Sequence, residues 1–79
     1  MLKSVQMPKL GVTMEDGTIL EWNKAIGARV EIGDLLLTVE TDKAATEYES
    51  TDSGILHEIL AKPGEVIPVG QVICVLRED

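Results

Sequence analysis

Residues 17–39 read GTILEWNKAIGARVEIGDLLLTV, and residues 54–76, GILHEILAKPGEVIPVGQVICVL, repeat their pattern at an offset of 37 residues. The repeat keeps its glycines in strict register, and apolar positions and one glutamate follow the same offset. The matched glycines are Gly17 with Gly54, Gly27 with Gly64, and Gly33 with Gly70. Because two copies are too few to stack as a solenoid, we predict two similar halves within one domain of residues 1–79.

Short runs of Val, Ile and Leu, bounded by glycine-containing turns, predict β-strands in both halves. No window keeps a helical period for the roughly 10 residues that a helix needs. The predicted strands span residues 5–10, 19–24, 30–32, 35–40, 45–49, 55–61, 66–67 and 72–76. These eight strands predict an all-β fold, a flattened barrel or sandwich of two four-stranded antiparallel sheets with pseudo-two-fold symmetry. The segment between Val39 and Ala45 then forms the hairpin that joins the halves, at the opposite end from both termini.

Fourteen acidic and seven basic residues give a net charge of −7, which argues against nucleic acids and anionic membranes as partners. The charge fits either simple solubility or docking on basic patches of larger partners. A chain of 79 residues buries only a modest core, and this one shows no nucleophile–base pair, metal cluster or phosphate-binding glycine loop. We therefore expect a domain without an active site of its own.

Single residues with reactive or aromatic side chains have ordinary structural interpretations. Cys74 is the only cysteine and lies in an apolar run, which favours a buried hydrophobic role over a reactive thiol. His57 has no second histidine or cysteine at ligand spacing, so a strand position is favoured over a metal site. Trp22 is expected to pack on a sheet, and Met7 and Met14 fit either the core or a contact surface. With no signal or membrane-spanning segment in the sequence, we expect a cytoplasmic protein.

The joining segment Glu40-Thr41-Asp42-Lys43-Ala44 carries the chemistry. Asp42 is a good turn residue because its carboxylate accepts hydrogen bonds from nearby backbone N–H groups. A lysine that acts as a base or Schiff-base nucleophile is usually desolvated, which lowers its pKa. Lys43 instead has acidic neighbours, which keep an amine charged. We interpret it as a handle that another enzyme acylates.

Four segments of the sequence resemble the lipoyl domains of 2-oxo acid dehydrogenase acyltransferase components. They are residues 7–11 (MPKLG), 13–17 (TMEDG), 40–44 (ETDKA) and 64–70 (GEVIPVG), and the resemblance extends over about residues 5–76. It implies that Lys43 carries a lipoyl group in amide linkage. It implies recognition by lipoate–protein ligase at Glu40, Asp42, Ala44, Gly27 and Gly54. It implies docking of the decarboxylase component at the loop formed by Leu10, Gly11, Val12, Thr13 and Met14.

The resemblance also implies partners and a cycle. A thiamine-diphosphate-dependent decarboxylase acylates the lipoyl group, the acyltransferase catalytic domain passes the acyl group to coenzyme A, and a flavin-dependent dihydrolipoamide dehydrogenase reoxidises the carrier. The MPKLG opening favours the pyruvate type, and the domain itself is expected to be monomeric. In the family a linker and a catalytic domain follow at about Asp79, so we expect a piece of a longer acyltransferase.

Two alternatives to a lipoyl carrier stay open. Biotin carriers resemble this fold and also bear their lysine at a hairpin tip, but methionine typically flanks that lysine, whereas Asp42 and Ala44 flank Lys43. A plain interaction domain is the other alternative, and it predicts that no ligase modifies Lys43.

Overall fold

The computed structural model describes residues 1–10, 14–41 and 44–78, and these residues form β-strands and no helix. The strands are β1 (Leu2–Gln6), β2 (Asp16–Trp22), β3 (Arg29–Val30), β4 (Leu35–Glu40), β5 (Ala45–Glu49), β6 (Gly54–Ile59), β7 (Val66–Pro68) and β8 (Val72–Arg77). They pair antiparallel in two four-stranded sheets, ordered β5-β4-β2-β7 and β1-β8-β6-β3. The predicted all-β sandwich is confirmed. No described segment is a helix long and apolar enough to cross a membrane.

The sequence repeat is also a repeat of backbone structure. The irregularity in the β2–β4 pairing between Ile19 and Glu21 recurs between β6 and β8, at Leu56 and Glu58. Hydrogen bonds recur as well, since Gly27 N–H donates to the carbonyl of Leu56 and its counterpart Gly64 N–H donates to that of Ile19, at 2.8 and 2.7 Å. The pseudo-two-fold symmetry predicted from the glycine spacing therefore relates one sheet to the other.

Both edge strands of each sheet come from the opposite half of the chain. β1 pairs with β8 and β5 pairs with β4, at one edge of each sheet. At the other edge, the short β3 pairs with β6 and the short β7 pairs with β2. The two glycine turns that precede these short strands carry the chain from one sheet to the other. The halves are consequently interlocked rather than packed side by side.

The core lies between the sheets and is built almost entirely from aliphatic side chains. Its buried members include five pairs related by the repeat, namely Ile19 with Leu56, Val30 with Ile67, Leu36 with Ile73, Leu37 with Cys74, and Val39 with Leu76. Trp22 packs against the edge of this core, as expected, and its indole N–H donates to the carbonyl of Ala61 at 2.8 Å. Both halves therefore contribute equivalent positions to the core.

The bounds of β4 and β5 are as predicted, whereas the predicted strand over 5–10 is wrong. That strand lies at Leu2–Gln6, because Leu2 and Lys3 pair with the end of β8 and because Pro8 has no N–H to donate. The bounds of the remaining strands differ from the prediction by one to three residues. Hydrogen-bonding partners set these ends, and the apolar pattern alone does not identify the partners.

The hairpin between β4 and β5 lies at the opposite end of β4 from the chain termini. Lys3 pairs with Asp52 near the N-terminus, and the neighbouring Ser50 donates its N–H to the carbonyl of Asp34, just before β4 begins. The hairpin follows Glu40, at the other end of that six-residue strand. This arrangement matches the expectation that the joining hairpin points away from the termini.

Candidate functional site

The candidate site is the end of the β4–β5 hairpin. Glu40 and Ala45 are the last opposed residues of the two strands. Beyond them, the N–H and the hydroxyl of Thr41 both donate to the carbonyl of Ala44, at 3.0 and 3.1 Å. Asp42 and Lys43, the predicted turn and attachment residues, lie outside the described residues. Their chain neighbours on both sides are thus held together by two hydrogen bonds.

The described residues around this hairpin end are exposed and acidic. Glu40, Ala44 and Glu47 are all exposed. Among the described ion pairs, none involves Glu40 or Glu47. The described residues on both sides of Asp42-Lys43 therefore include exposed positions, among them the acids Glu40 and Glu47.

Gly17 supports the base of the hairpin, a role that the sequence analysis did not assign to it. A β-carbon at Gly17 would lie 2.5 Å from Cγ1 of Val39 and 2.9 Å from Cε of Met14, with the carbonyl oxygen of Glu40 at 3.7 Å. β2 therefore passes directly against the end of β4 because residue 17 has no side chain. The repeat marked Gly17 as special, but only the packing shows which close contact it permits.

The predicted docking loop of residues 10–14 is anchored at both described ends. Met14 is buried in the core, 7% exposed, and its sulfur accepts a hydrogen bond from Leu10 N–H at 3.2 Å. Leu10 is half-buried against the same core. Gly11, Val12 and Thr13 lie outside the described residues. Because Met14 also packs beside Gly17, the ends of this loop are brought next to the hairpin base, and the open question about Met7 and Met14 resolves to core positions for both.

Gly27 and Gly54 have positive φ angles of 95° and 149°. Gly27 lies between β2 and β3, and Gly54 lies in the sheet that does not contain the hairpin. Gly54 opens β6, where a β-carbon would lie 2.7 Å from the carbonyl oxygen of Arg77, close to the chain termini. Gly27 N–H bonds to Leu56 in the same strand. The structure thus brings Glu40 and Ala44 together, but it places Gly54 at the end of the domain away from the hairpin.

Two side chains outside the hairpin, Cys74 and His57, were the other candidates for reactive or metal-binding roles. Cys74 is fully buried, and desolvation raises the pKa of its thiol to about 12, which confirms the buried hydrophobic role. His57 is exposed on β6. The described residues contain no group of three or more His, Cys, Asp or Glu side chains arranged to hold a metal ion.

Comparison with known proteins identifies the relatives of this sequence. The sequence model of a family described as "Biotin-requiring enzyme" matches residues 3–76. The acetyltransferase component of the pyruvate dehydrogenase complex of Zymomonas mobilis is 48% identical over 75 residues, 94% of this chain and 17% of the relative. The succinyltransferase component of the 2-oxoglutarate dehydrogenase complex of Staphylococcus saprophyticus is 39% identical over 98% of this chain and 18% of the relative. The chain thus spans less than a fifth of the length of these two acyltransferases.

Solved structures show the same fold. The lipoyl domain of the 2-oxoglutarate dehydrogenase complex of Azotobacter vinelandii matches with a TM-score of 0.75 and 28% identity over 95% of both chains. The urea carboxylase of Kluyveromyces lactis matches with a TM-score of 0.79 and 23% identity, over 98% of this chain and 6% of that enzyme, and shares the fold. The chain therefore belongs to the biotin- and lipoyl-attachment family, as a carrier-type domain with the fold of the lipoyl domains of 2-oxo acid dehydrogenase complexes.

Proposed function

We propose that this domain is a lipoyl acyl carrier and that Lys43 is its attachment residue. The observation that carries the proposal is the end of the β4–β5 hairpin, where Thr41 and Ala44 are bonded to each other on either side of Asp42-Lys43. The hairpin lies away from the termini, so a carried group would face outward from any tether. The similarity to acyltransferase components supports lipoyl rather than biotin as the group.

The described residues fit such a group because Glu40 and Ala44, on either side of the segment that contains Lys43, are exposed. Lys43 would hold the lipoyl group, which would supply a disulfide able to take up an acyl group reductively and to release it to coenzyme A. The domain's own part is to hold the described ends of the hairpin in place through the β4 pairings and through the close packing at Gly17. Tethering raises the local concentration of the carried group at each partner, so weak docking is sufficient.

The partners and the recognition residues belong to this proposal. Lipoate–protein ligase would recognise Glu40, Asp42 and Ala44 directly. Gly27 and Gly54 would act only through the backbone conformation that they permit. The loop of residues 10–14 would dock on a thiamine-diphosphate-dependent decarboxylase. The carried group would also enter the active sites of an acyltransferase domain and of dihydrolipoamide dehydrogenase. The pyruvate type is part of the proposal, and it is supported by the 48% identity to one pyruvate relative, against 39% for a 2-oxoglutarate relative. A monomeric domain working in the cytoplasm completes the proposal.

The test is the intact mass of the domain after incubation with lipoate–protein ligase, lipoic acid and ATP. The expected result is a gain of one lipoyl group, located on Lys43 by peptide mapping. A folded domain that gains no mass, or that gains it at another lysine, would overturn the proposed function.

Biotin is the second candidate group, because the matching family model is described by biotin-requiring enzymes and a carboxylase shares the fold. The same mass measurement with biotin ligase, biotin and ATP separates the two groups. Efficient biotinylation of Lys43 without lipoylation would replace the lipoyl carrier with a biotinyl carrier.

Asp42→Ala is expected to slow lipoylation about tenfold without preventing it. Asp42 adjoins the target lysine, and loss of one charged recognition contact typically removes about 1–2 kcal/mol of binding free energy. The measurement is kcat/KM of the ligase for the variant and for wild type, with Asp52→Ala as a control at an acid near the termini. Equal rates for Asp42→Ala and wild type would remove Asp42 from the recognition residues.

A further inference from the structure

The two sheets of the domain carry opposite charge on strands that are otherwise equivalent. β5, β4, β2 and β7 contain no lysine or arginine, and their acids are Asp16, Glu21, Glu40, Glu47 and Glu49. The strands of the other sheet contain one acid, Glu58, and three basic residues, Lys3, Arg29 and Arg77. The acidic excess of the strands therefore lies entirely in the sheet that bears the candidate hairpin.

The strand register places these acids on one surface. Residues directly opposite each other on neighbouring strands point to the same side of a sheet. Thr18 is opposite Glu40, and Thr38 is opposite both Glu47 and Glu21. Their inward neighbours Ile19 and Val39 are fully buried. We call the outward surface formed by Asp16, Glu21, Glu40 and Glu47 the acidic face.

The repeat supplies an internal comparison for this surface. Arg77 occupies on β8 the position that Glu40 occupies on β4, and Arg29 occupies the position of Val66. The described ion pairs involve the acids Glu31, Asp34, Asp52 and Glu78. None of them neutralises the acidic face. Since both sheets share one backbone plan, the charge difference is not a requirement of the fold, and solubility alone would not concentrate it on one sheet.

The acidic face also includes exposed apolar area. Leu20 is 40% exposed and Val66 is 59% exposed, and Val66 lies opposite Thr18, which is itself opposite Glu40. Protein–protein interfaces combine an apolar centre with a polar rim, and this exposed apolar area with charged residues beside it fits that arrangement. Because the acidic face is negatively charged, repulsion disfavours three kinds of partner, namely a second copy of this face, a nucleic acid and an anionic membrane.

We propose that the acidic face is the docking surface for a protein partner with a basic surface beside its active-site entrance. This proposal rests on the proposed function and identifies that partner as the decarboxylase component. Lys43 is the one basic residue in positions 40–49, and amide formation removes its charge. Modification thus makes the segment of residues 40–49 more negative, which favours the modified carrier over the unmodified one in approaching a basic partner.

The experiment compares the lipoylated wild type with Glu47→Lys and with Glu58→Lys, a matched control that makes the same change on an exposed strand position of the other sheet. Reductive acetylation by the thiamine-diphosphate-dependent decarboxylase of the Zymomonas mobilis pyruvate dehydrogenase complex is measured at low and at physiological salt. We expect Glu47→Lys to raise KM about tenfold at low salt with kcat little changed, and the difference to shrink as salt screens the charges. Glu58→Lys is expected to stay within about twofold of wild type.

Equal KM changes in the two variants, or no change in either, would overturn the docking face while leaving the lipoyl carrier intact. Titration of the ¹⁵N-labelled unmodified domain with the same decarboxylase, followed by NMR, maps the contact surface independently of lipoylation. Signal changes in β5, β4, β2 and β7, and in the loop of residues 10–14 that the proposed function also assigns to this partner, are expected even if Lys43 were not the attachment residue. Changes on the other sheet, or none, would contradict the proposal.

Discussion

Lys43→Ala is expected to abolish acyl carriage while leaving the domain folded. The amine is the acceptor of the carried group in the proposed function, so its removal leaves nothing for the ligase to acylate. Stability should change by no more than about 0.5 kcal/mol, since the core is built from the strands and Thr41 bonds directly to Ala44. The measurements are reductive acylation of the ligase-treated protein and thermal unfolding followed by circular dichroism.

Two further variants separate the chemistry of Lys43 from its charge. Lys43→Arg keeps the positive charge but offers no amine to the ligase, and it should be as inactive as Lys43→Ala. Lys62→Ala removes the charge of another exposed lysine and should retain full carriage. Acyl carriage by either Lys43 variant would show that another residue is the attachment site. Unfolding of both variants would show that the hairpin has a structural role instead.

Gly54→Ala is expected to destabilise the domain by roughly 3 kcal/mol. The new β-carbon would lie 2.7 Å from the carbonyl oxygen of Arg77, a backbone atom held by strand pairing. Gly54 also has a φ angle of 149°, a conformation that residues with a side chain rarely adopt. For a domain of this size such a loss corresponds to a melting temperature lower by roughly 12–24 °C.

Gly27→Ala is the matched control, because its φ angle is also positive, at 95°, but no heavy atom lies within 4 Å of the added β-carbon. The free energy of unfolding of Gly27→Ala should fall by only about 1 kcal/mol, because backbone strain is the sole effect. Chemical denaturation of both variants gives the comparison. Equal losses would show that backbone conformation, and not the contact with Arg77, makes glycine necessary at position 54.

The sequence predicted the architecture because the repeat accounts for six of the eight strands and for their order along the chain. The bounds of β4 and β5 follow from the apolar runs and the turns around them. The first strand was misplaced because Leu2 and Lys3 look unremarkable until β8 is known to pair with them. Similarity between segments also does not show which sheet each one joins, so the exchange of β3 and β7 was not predicted.

Prediction of the site was limited in the same way. The hairpin was predicted from its turn residues and its midpoint position, whereas the assignment of Lys43 depended on the resemblance to lipoyl domains and stays a prediction. Gly17 and Gly54 are equivalent in the repeat, and only the packing shows that Gly17 lies against Val39 at the hairpin base while Gly54 lies against Arg77. A pattern that repeats cannot by itself distinguish its two copies.

The exchange of β3 and β7 has a consequence for how the domain forms during synthesis. β1 pairs only with β8, so residues 2–6 have no partner in their sheet until residues 72–77 have been made. The first sheet likewise lacks its β7 edge until residues 66–68 are available. Contacts between the two ends of the chain carry a high loop-closure entropy and form late. We infer that the nascent chain remains without a complete sheet until nearly its whole length is available, and that both sheets then close in one cooperative step.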